Sequence, residues 1–343
     1  MLGHADSHGG DDAANGPTCK EGTALPIEDS ILPRSIIIDT DPGQDDAIAI
    51  LLALASPELD VLGITAVAGN VPLTLTERNA RALVELVGAT TEVRAGAAAP
   101  LSRPLVTAEH VHGKTGLDGW DVPEPTRSLA EGHGADWIAR TVLEHEDGSV
   151  TLVCLGPLTN AALALRKSPQ IAKRLDAIVL MGGGYWEGGN ITPMAEFNIF
   201  VDPEAANEVM RSGARIVIAP LDVTHKALMP RSFVEGLDML GTSVGRAAGG
   251  MLGFFERFDR EKYGSTGGPL HDPCTIAWLL EPGMFEGRNV WIGVETHSEL
   301  CRGAAVVDWW NVWPDKPANA YWLHNIQADR FFNLILERLA RLP

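Results

Sequence analysis

Ile36-Ile37-Ile38 runs directly into Asp39-Thr40-Asp41-Pro42-Gly43-Gln44-Asp45-Asp46, and an apolar run from Ala47 to Ala55 follows. Three β-branched residues in a row read as a short buried strand, and the run beyond the turn reads as a helix. A strand turning through Pro-Gly into a helix is a building unit of an open α/β sheet, which binds its ligands beyond the carboxyl ends of its strands. The turn concentrates four aspartates, 39, 41, 45 and 46, within eight positions. Carboxylates this close repel one another unless a cation lies among them, and an all-oxygen donor set suits Ca²⁺ or Mg²⁺. The competing reading is an acidic turn whose Asp45 or Asp46 merely caps a helix. One aspartate satisfies that reading; four exceed it.

Strands continue to alternate with helices as far as about residue 220. The spacing predicts strands at 61–67, 150–155, 177–181 and 216–219, with helices at 73–87 and 137–144, after 158, and from 202. Residues 232–263 read as largely helical. A helix follows at 275–280, then short strands at 290–295, 305–310 and 320–325, and a closing helix at 329–339. The pattern implies a mainly parallel, doubly wound sheet flanked by helices, in one large domain with a few extra strands near the carboxyl terminus. No repeat or Ser/Pro-rich linker divides residues 34–343. Residues 1–33, rich in Gly, Asp and Ala, read as a disordered extension in which His4 and His8 are solvated tail residues.

The formal net charge of -18 argues against nucleic-acid polymers and anionic membranes as partners, and leaves a small neutral ligand compatible. No apolar run is long enough to span a bilayer. The amino terminus lacks the pattern of a signal peptide. Cys19, Cys154, Cys274 and Cys301 are scattered without CxxC spacing, so reduced thiols and a cytoplasmic location are expected.

Other polar residues collect after the strands. Asn70 follows Ala68-Gly69 and reads equally as a turn former or a substrate ligand. His110 and His112 sit in a polar loop ending Gly113-Lys114-Thr115-Gly116, with no partner Cys or His at zinc-ligand spacing. The glycines at 182–184 lack dinucleotide-binding spacing and read as a tight turn or a close backbone approach to ligand. Asn190, Glu196 and Asn198 fall on an irregular run. Asp272, before Pro273, reads as a helix N-cap or a ligand. Trp186 reads as a core aromatic in preference to a base-stacking one.

The segment Asp39-Thr40-Asp41-Pro42-Gly43-Gln44-Asp45-Asp46-Ala47 resembles the amino-terminal signature of the nucleoside hydrolases, calcium-dependent N-ribohydrolases that include the inosine-uridine preferring enzymes. The DxD motif of haloacid-dehalogenase-type phosphatases is a weaker likeness. Seven later segments resemble the nucleoside hydrolases in the same order: Ala66–Asn70, His112–Gly116, Gly156–Asn160, Met181–Gly184, Glu196–Asn198, Asp202–Ala206 and His271–Cys274. The phosphatase alternative accounts for none of these.

That resemblance implies hydrolysis of the N-glycosidic bond of ribonucleosides to ribose and free base. It implies Ca²⁺ held by Asp41, Asp46, Asp272 and the carbonyl of Leu155. It places Asp45, Asn190, Glu196 and Asn198 on the ribose hydroxyls, with Asn70 supporting the site and Asp39 orienting its neighbours. It also implies a homo-oligomer, tetramer or dimer. Asp41 would act as general base toward water, and His271 as acid toward the departing base, with His112 assisting. The family's tyrosines before the His-Asp-Pro segment are replaced by Phe254, Phe255, Phe258 and Asp259, with Tyr263 further on, so ring stacking is retained and a phenol contact is not. A protein that binds nucleoside or sugar without turnover is the alternative of another class.

Overall fold

The computed structural model describes residues 33–263 and 267–343, without the side chains of Asp259, Lys262 and Tyr263. The expected amino-terminal extension, apart from Pro33, lies outside the described residues, as do His4, His8 and Cys19. Nine strands form one sheet: β1 Arg34–Thr40, β2 Leu59–Ala66, β3 Val93–Ala95, β4 Val150–Cys154, β5 Ala177–Met181, β6 Ile216–Ala219, β7 Phe285–Val294, β8 Ala305–Asp308 and β9 Ala320–Ile326. Their order is β3-β2-β1-β4-β5-β6-β9-β7-β8. All pairs from β3 to β9 are parallel, and β7 runs antiparallel to both β9 and β8. Strands β4, β5 and β6 are buried along their whole length, which is why they read as unbroken apolar runs without alternation.

The chain leaves β1 for β2 and β3 on one side, then returns as β4 on the other side of β1. The connections after β1 and β4 therefore diverge, and the gap between their carboxyl ends is the switch point at which such sheets hold ligands. Asp41 and Leu155 are the residues that leave those two ends. The helix Gln44–Leu54 is buried over residues 44–53, because it lies against the sheet, beneath the helices Pro273–Leu280 and Ser243–Tyr263. A helix apolar on every side is stable only when covered on every side. Each of Ile48, Ile50, Leu51 and Leu52, fully buried, contributes about 1.5–3 kcal/mol. That packing anchors the acidic turn at the helix start.

Three expectations are corrected. The polar loop at 110–116 begins as a helical turn, Glu109–His112, which packs on the helix Ser243–Tyr263; the polar side chains hid this local order. Asn198 lies in a short helix, Phe197–Val201, where an irregular run was expected, because the side chain of Glu196 caps it. Trp186 is neither in the core nor in the central cleft: it is 59% exposed, with its ring edge-on to Tyr185 and Trp309. Strand β3 was missed because three residues give no readable period. Among the described residues, no helix is long and apolar enough to cross a membrane.

Candidate active site and metal centre

The turn after β1 folds back on itself through Asp46. Its carboxylate accepts from the Thr40 hydroxyl at 2.5 Å, the Gly43 N–H at 2.9 Å, the Asn70 side-chain amide at 3.2 Å and the Asp41 N–H at 3.3 Å. The capping reading is thus correct for Asp46, whose carboxylate accepts from the Gly43 N–H at the helix start. Asp272 behaves differently. It precedes the helix Pro273–Leu280 but makes no side-chain cap; only its backbone carbonyl serves the helix start, accepting from the Thr275 hydroxyl at 2.7 Å. Its carboxyl group faces Asp45 and Asp46 instead, and oxygens of these three all lie within 4.8 Å of one another.

Asp41 is not one of that trio and is fully buried. Its Oδ2 accepts from the Asn70 N–H at 2.7 Å, while among the described residues its Oδ1 and the Oδ1 of Asp45 have no hydrogen-bonding partner. Two glycines make room for it. A Cβ on Gly69 would fall 2.0 Å from Asp41 Oδ2, and one on Gly156 would fall 2.1 Å from Asp41 Oδ1. The glycines of two expected motifs are therefore there to let a carboxylate approach the backbone.

Electrostatics makes the cluster unstable as bare charges. Two unit charges at about 4.8 Å repel by roughly 3.5 kcal/mol at an effective dielectric near 20. Three such pairs cost about as much as a whole domain's stability. Accordingly, burial first and neighbouring carboxylates second push Asp41 and Asp272 well above the usual carboxylate range, and Asp45 to about 8. Burial also raises Asp46, against its hydrogen bonds. A divalent oxygen-loving cation fits this donor set: the ligand atoms are all oxygen, two buried ones are unpaired, and the excess charge is negative.

A cleft with a cavity volume of about 100 Å³ opens over this cluster. Asp45, Asp272, Asn70, Asn198, Glu196 and Leu155 are among its lining residues, and Phe255, Phe258, His110, His112, His225 and His271 contribute aromatic rings to it. Asp41 and Asp46 do not reach the lining. Leu155 is held at the end of β4 by a 2.8 Å bond from its N–H to the Asp39 carbonyl, and its own carbonyl accepts from the Asn198 side-chain amide at 2.7 Å. Asn190 accepts from the Phe197 N–H at 2.9 Å. Glu196 receives the N–H groups of Gly183, Asn198 and Ile199, while burial raises it to about 7. Asp39 accepts from Thr65 and Asn160 and does not line the cleft.

The two histidines differ. His271 contacts the Thr224 hydroxyl through Nδ1 at 2.8 Å, and burial, then His225 and His112, hold it well below the usual imidazole range. His112 is buried, stacked on Phe255 and joined through Nδ1 to Gln44 Oε1 at 2.7 Å. Sequence reasoning missed Gln44 as a site residue, since a glutamine at a helix start carries no signal of its own. It also left His225 without a role, and the structure sets its ring beside that of His271, with 5.8 Å between centroids.

Known proteins match this arrangement along most of the chain. The family model described as inosine-uridine preferring nucleoside hydrolase covers residues 36–333. The pyrimidine-specific ribonucleoside hydrolase RihA of Photobacterium profundum is 46% identical over 311 residues, spanning 90% of this chain and 99% of that protein. A purine-preferring ribonucleoside hydrolase from Gardnerella vaginalis superposes with a TM-score of 0.84 at 29% identity, over 90% of this chain and 98% of its own. A plant nucleoside hydrolase does so with a TM-score of 0.85 at 32% identity, over 90% and 99%.

Proposed function

Since this chain belongs to the inosine-uridine preferring nucleoside hydrolase family, and is thereby an enzyme that hydrolyses ribonucleosides, we propose that it does so with Ca²⁺ and prefers pyrimidine ribonucleosides. The observation that carries the site reading is the juxtaposition of a buried, partly unpaired carboxylate cluster with an aromatic-walled cleft. The pyrimidine preference rests on the similarity to RihA, at higher identity than the purine-preferring neighbour.

Asp41, Asp46, Asp272 and the Leu155 carbonyl would hold the cation; of these, Asp46 and Asp272 group with Asp45, their oxygens within 4.8 Å of one another. Such an ion supplies Lewis acidity that lowers the pKa of water and offers coordination sites to sugar hydroxyls. The remaining steps belong to the chain. Asp45, Asn190, Glu196 and Asn198 grip the ribose. Asp41, held by Asn70 through one oxygen and unpaired at the other, takes the proton of the attacking water through Oδ1. Positive charge develops on the sugar as the glycosidic bond lengthens, and the buried carboxylates stabilise it. His271 delivers a proton to the departing base. The catalytic unit is residues 34–343, acting in the cytoplasm as a homo-oligomer.

Incubation of the purified protein with uridine, cytidine, inosine and adenosine, followed by measurement of reducing sugar, tests the activity. Release from uridine and cytidine ahead of the purines is expected. Tight binding of ribose with no turnover of any nucleoside would favour a binding protein. The close approach of Gly156 to Asp41 gives a second test. Gly156→Ala is expected to displace the carboxylate by about an ångström, lowering kcat by about 10²-fold while costing roughly 1–3 kcal/mol of stability. Full activity in that variant would show that Asp41 need not sit where it does.

A further inference from the structure

Gln44 is fully buried at the first position of the helix Gln44–Leu54, one residue before Asp45. Its Nε2 donates to two backbone carbonyls, of His112 at 3.0 Å and of Asp118 at 3.1 Å. Carbonyls only accept, so the amide NH₂, with its two N–H groups, must face them. Turning the amide over would set Oε1 against both carbonyls. Its Oε1 is thereby committed to the other side, where it meets His112 Nδ1 at 2.7 Å. A carbonyl oxygen cannot donate, so Nδ1 must carry the hydrogen.

The imidazole is fixed in orientation as well. A Cβ on Gly43 would fall 2.5 Å from Nδ1, so the ring edge rests against that glycine, and its face stacks on Phe255 at 5.7 Å between centroids and 28°. Nε2 has no hydrogen-bond partner among the described residues, on a ring that lines the cleft. Burial pushes the imidazole down to about 3, so near neutrality it holds a single proton.

We propose that Gln44 is a positioning residue that locks His112 as the Nδ1–H tautomer, leaving Nε2 as an obligate acceptor for a hydrogen-bond donor of the bound ribonucleoside. The inference rests on the hydrolase reading and refines it: His112 accepts from substrate, and proton delivery falls to another group. The donor is a ribose hydroxyl or a base N–H; both present the same chemistry to a bare imidazole nitrogen. Coupling is built into the chain, because one helix start carries both the tautomer-setting amide and the carboxylates at positions 45 and 46.

Long-range ¹⁵N–¹H spectra of the full-length, histidine-labelled protein with Ca²⁺ near neutral pH report the tautomer directly. His112 is expected to show a protonated Nδ1 and an unprotonated Nε2, with the Nε2 resonance moving when uridine is added. A protonated Nε2, or no movement on addition, overturns the proposal. These readouts need no turnover, so a wild-type protein inactive on every nucleoside would sink the hydrolase reading while still testing this one. Gln44→Met is expected to shift His112 toward Nε2–H and to lower kcat/KM for uridine roughly 10- to 100-fold, as an acceptor becomes a clashing donor. Adding His112→Ala to that variant should cost nothing more, whereas independent, additive losses overturn the coupling. A 4-nitrophenyl riboside keeps the sugar hydroxyls and lacks a base N–H. Equal loss on it places the donor on ribose, sparing of it places the donor on the base, and loss on neither substrate overturns the proposal.

Discussion

Asp41→Asn is expected to lower kcat on every ribonucleoside by roughly 10⁴-fold, the upper end of what a positioned general base supplies, since a ligand charge leaves with it. Calcium affinity measured by titration calorimetry should fall in the same variant. Asp45→Asn provides the contrast, because Asp45 belongs with Asp46 and Asp272 to the trio whose oxygens lie within 4.8 Å, and Asp41 does not. If Asp45→Asn abolished calcium binding and Asp41→Asn left it intact, the two aspartates would exchange roles. Near-wild-type activity of Asp41→Asn after exhaustive chelation would sink both the base and the cation.

Stability should move in the opposite direction. In the chelated protein, Asp41 is a buried carboxylate opposed first by desolvation and then by its neighbours, so Asp41→Asn is expected to raise the melting temperature there. The same physics sets a pH dependence. Asp39 and Glu196 are raised to about 7 and Asp45 to about 8. A group raised on folding contributes stability that is complete below its unfolded pKa, near 4, and is lost as pH climbs through the folded value. The chelated protein should therefore melt lower at pH 8 than at pH 6, and calcium should remove the part of that difference that comes from Asp45. A chelated protein equally stable at both values would show that the cluster is relieved by something other than protons or a cation.

The second large effect separates two adjacent residues. His271→Ala is expected to spare calcium affinity and to slow ribonucleosides by roughly 10²–10⁴-fold, the range for a general acid. Cleavage of 4-nitrophenyl riboside, whose leaving group departs without protonation, should be nearly unchanged. Asp272→Ala should impair both substrates, because its carboxyl faces Asp45 and Asp46 and does not cap the following helix. Burial works against the acid role, holding His271 well below the usual imidazole range and so confining its cationic form to acid pH. The Thr224 hydroxyl meets the ring at Nδ1, 2.8 Å away. Equal losses on both substrates in a folded His271→Ala protein would remove it from proton delivery.

Much of this was legible in the residues themselves. Ile36-Ile37-Ile38 and the runs at 150–154, 177–181 and 216–219 declare buried parallel strands, because a strand covered on both faces has no polar alternation to interrupt it. The acidic turn declares a ligand site, since charge repulsion over eight residues is a local property that holds in any fold. Distance along the chain hid the rest. No local rule joins Asp272 to Asp45, more than two hundred residues apart, or shows that Gly69 and Gly156 are glycines to let Asp41 approach. Trp186 was misread because burial is decided by what packs against a ring, and here Tyr185 and Trp309 meet it edge-on and leave it 59% exposed. Gln44 illustrates the limit most clearly. An amide has a donor end and an acceptor end, and only the tertiary structure, by bringing two carbonyls to one and an imidazole to the other, decided which nitrogen of His112 carries the proton.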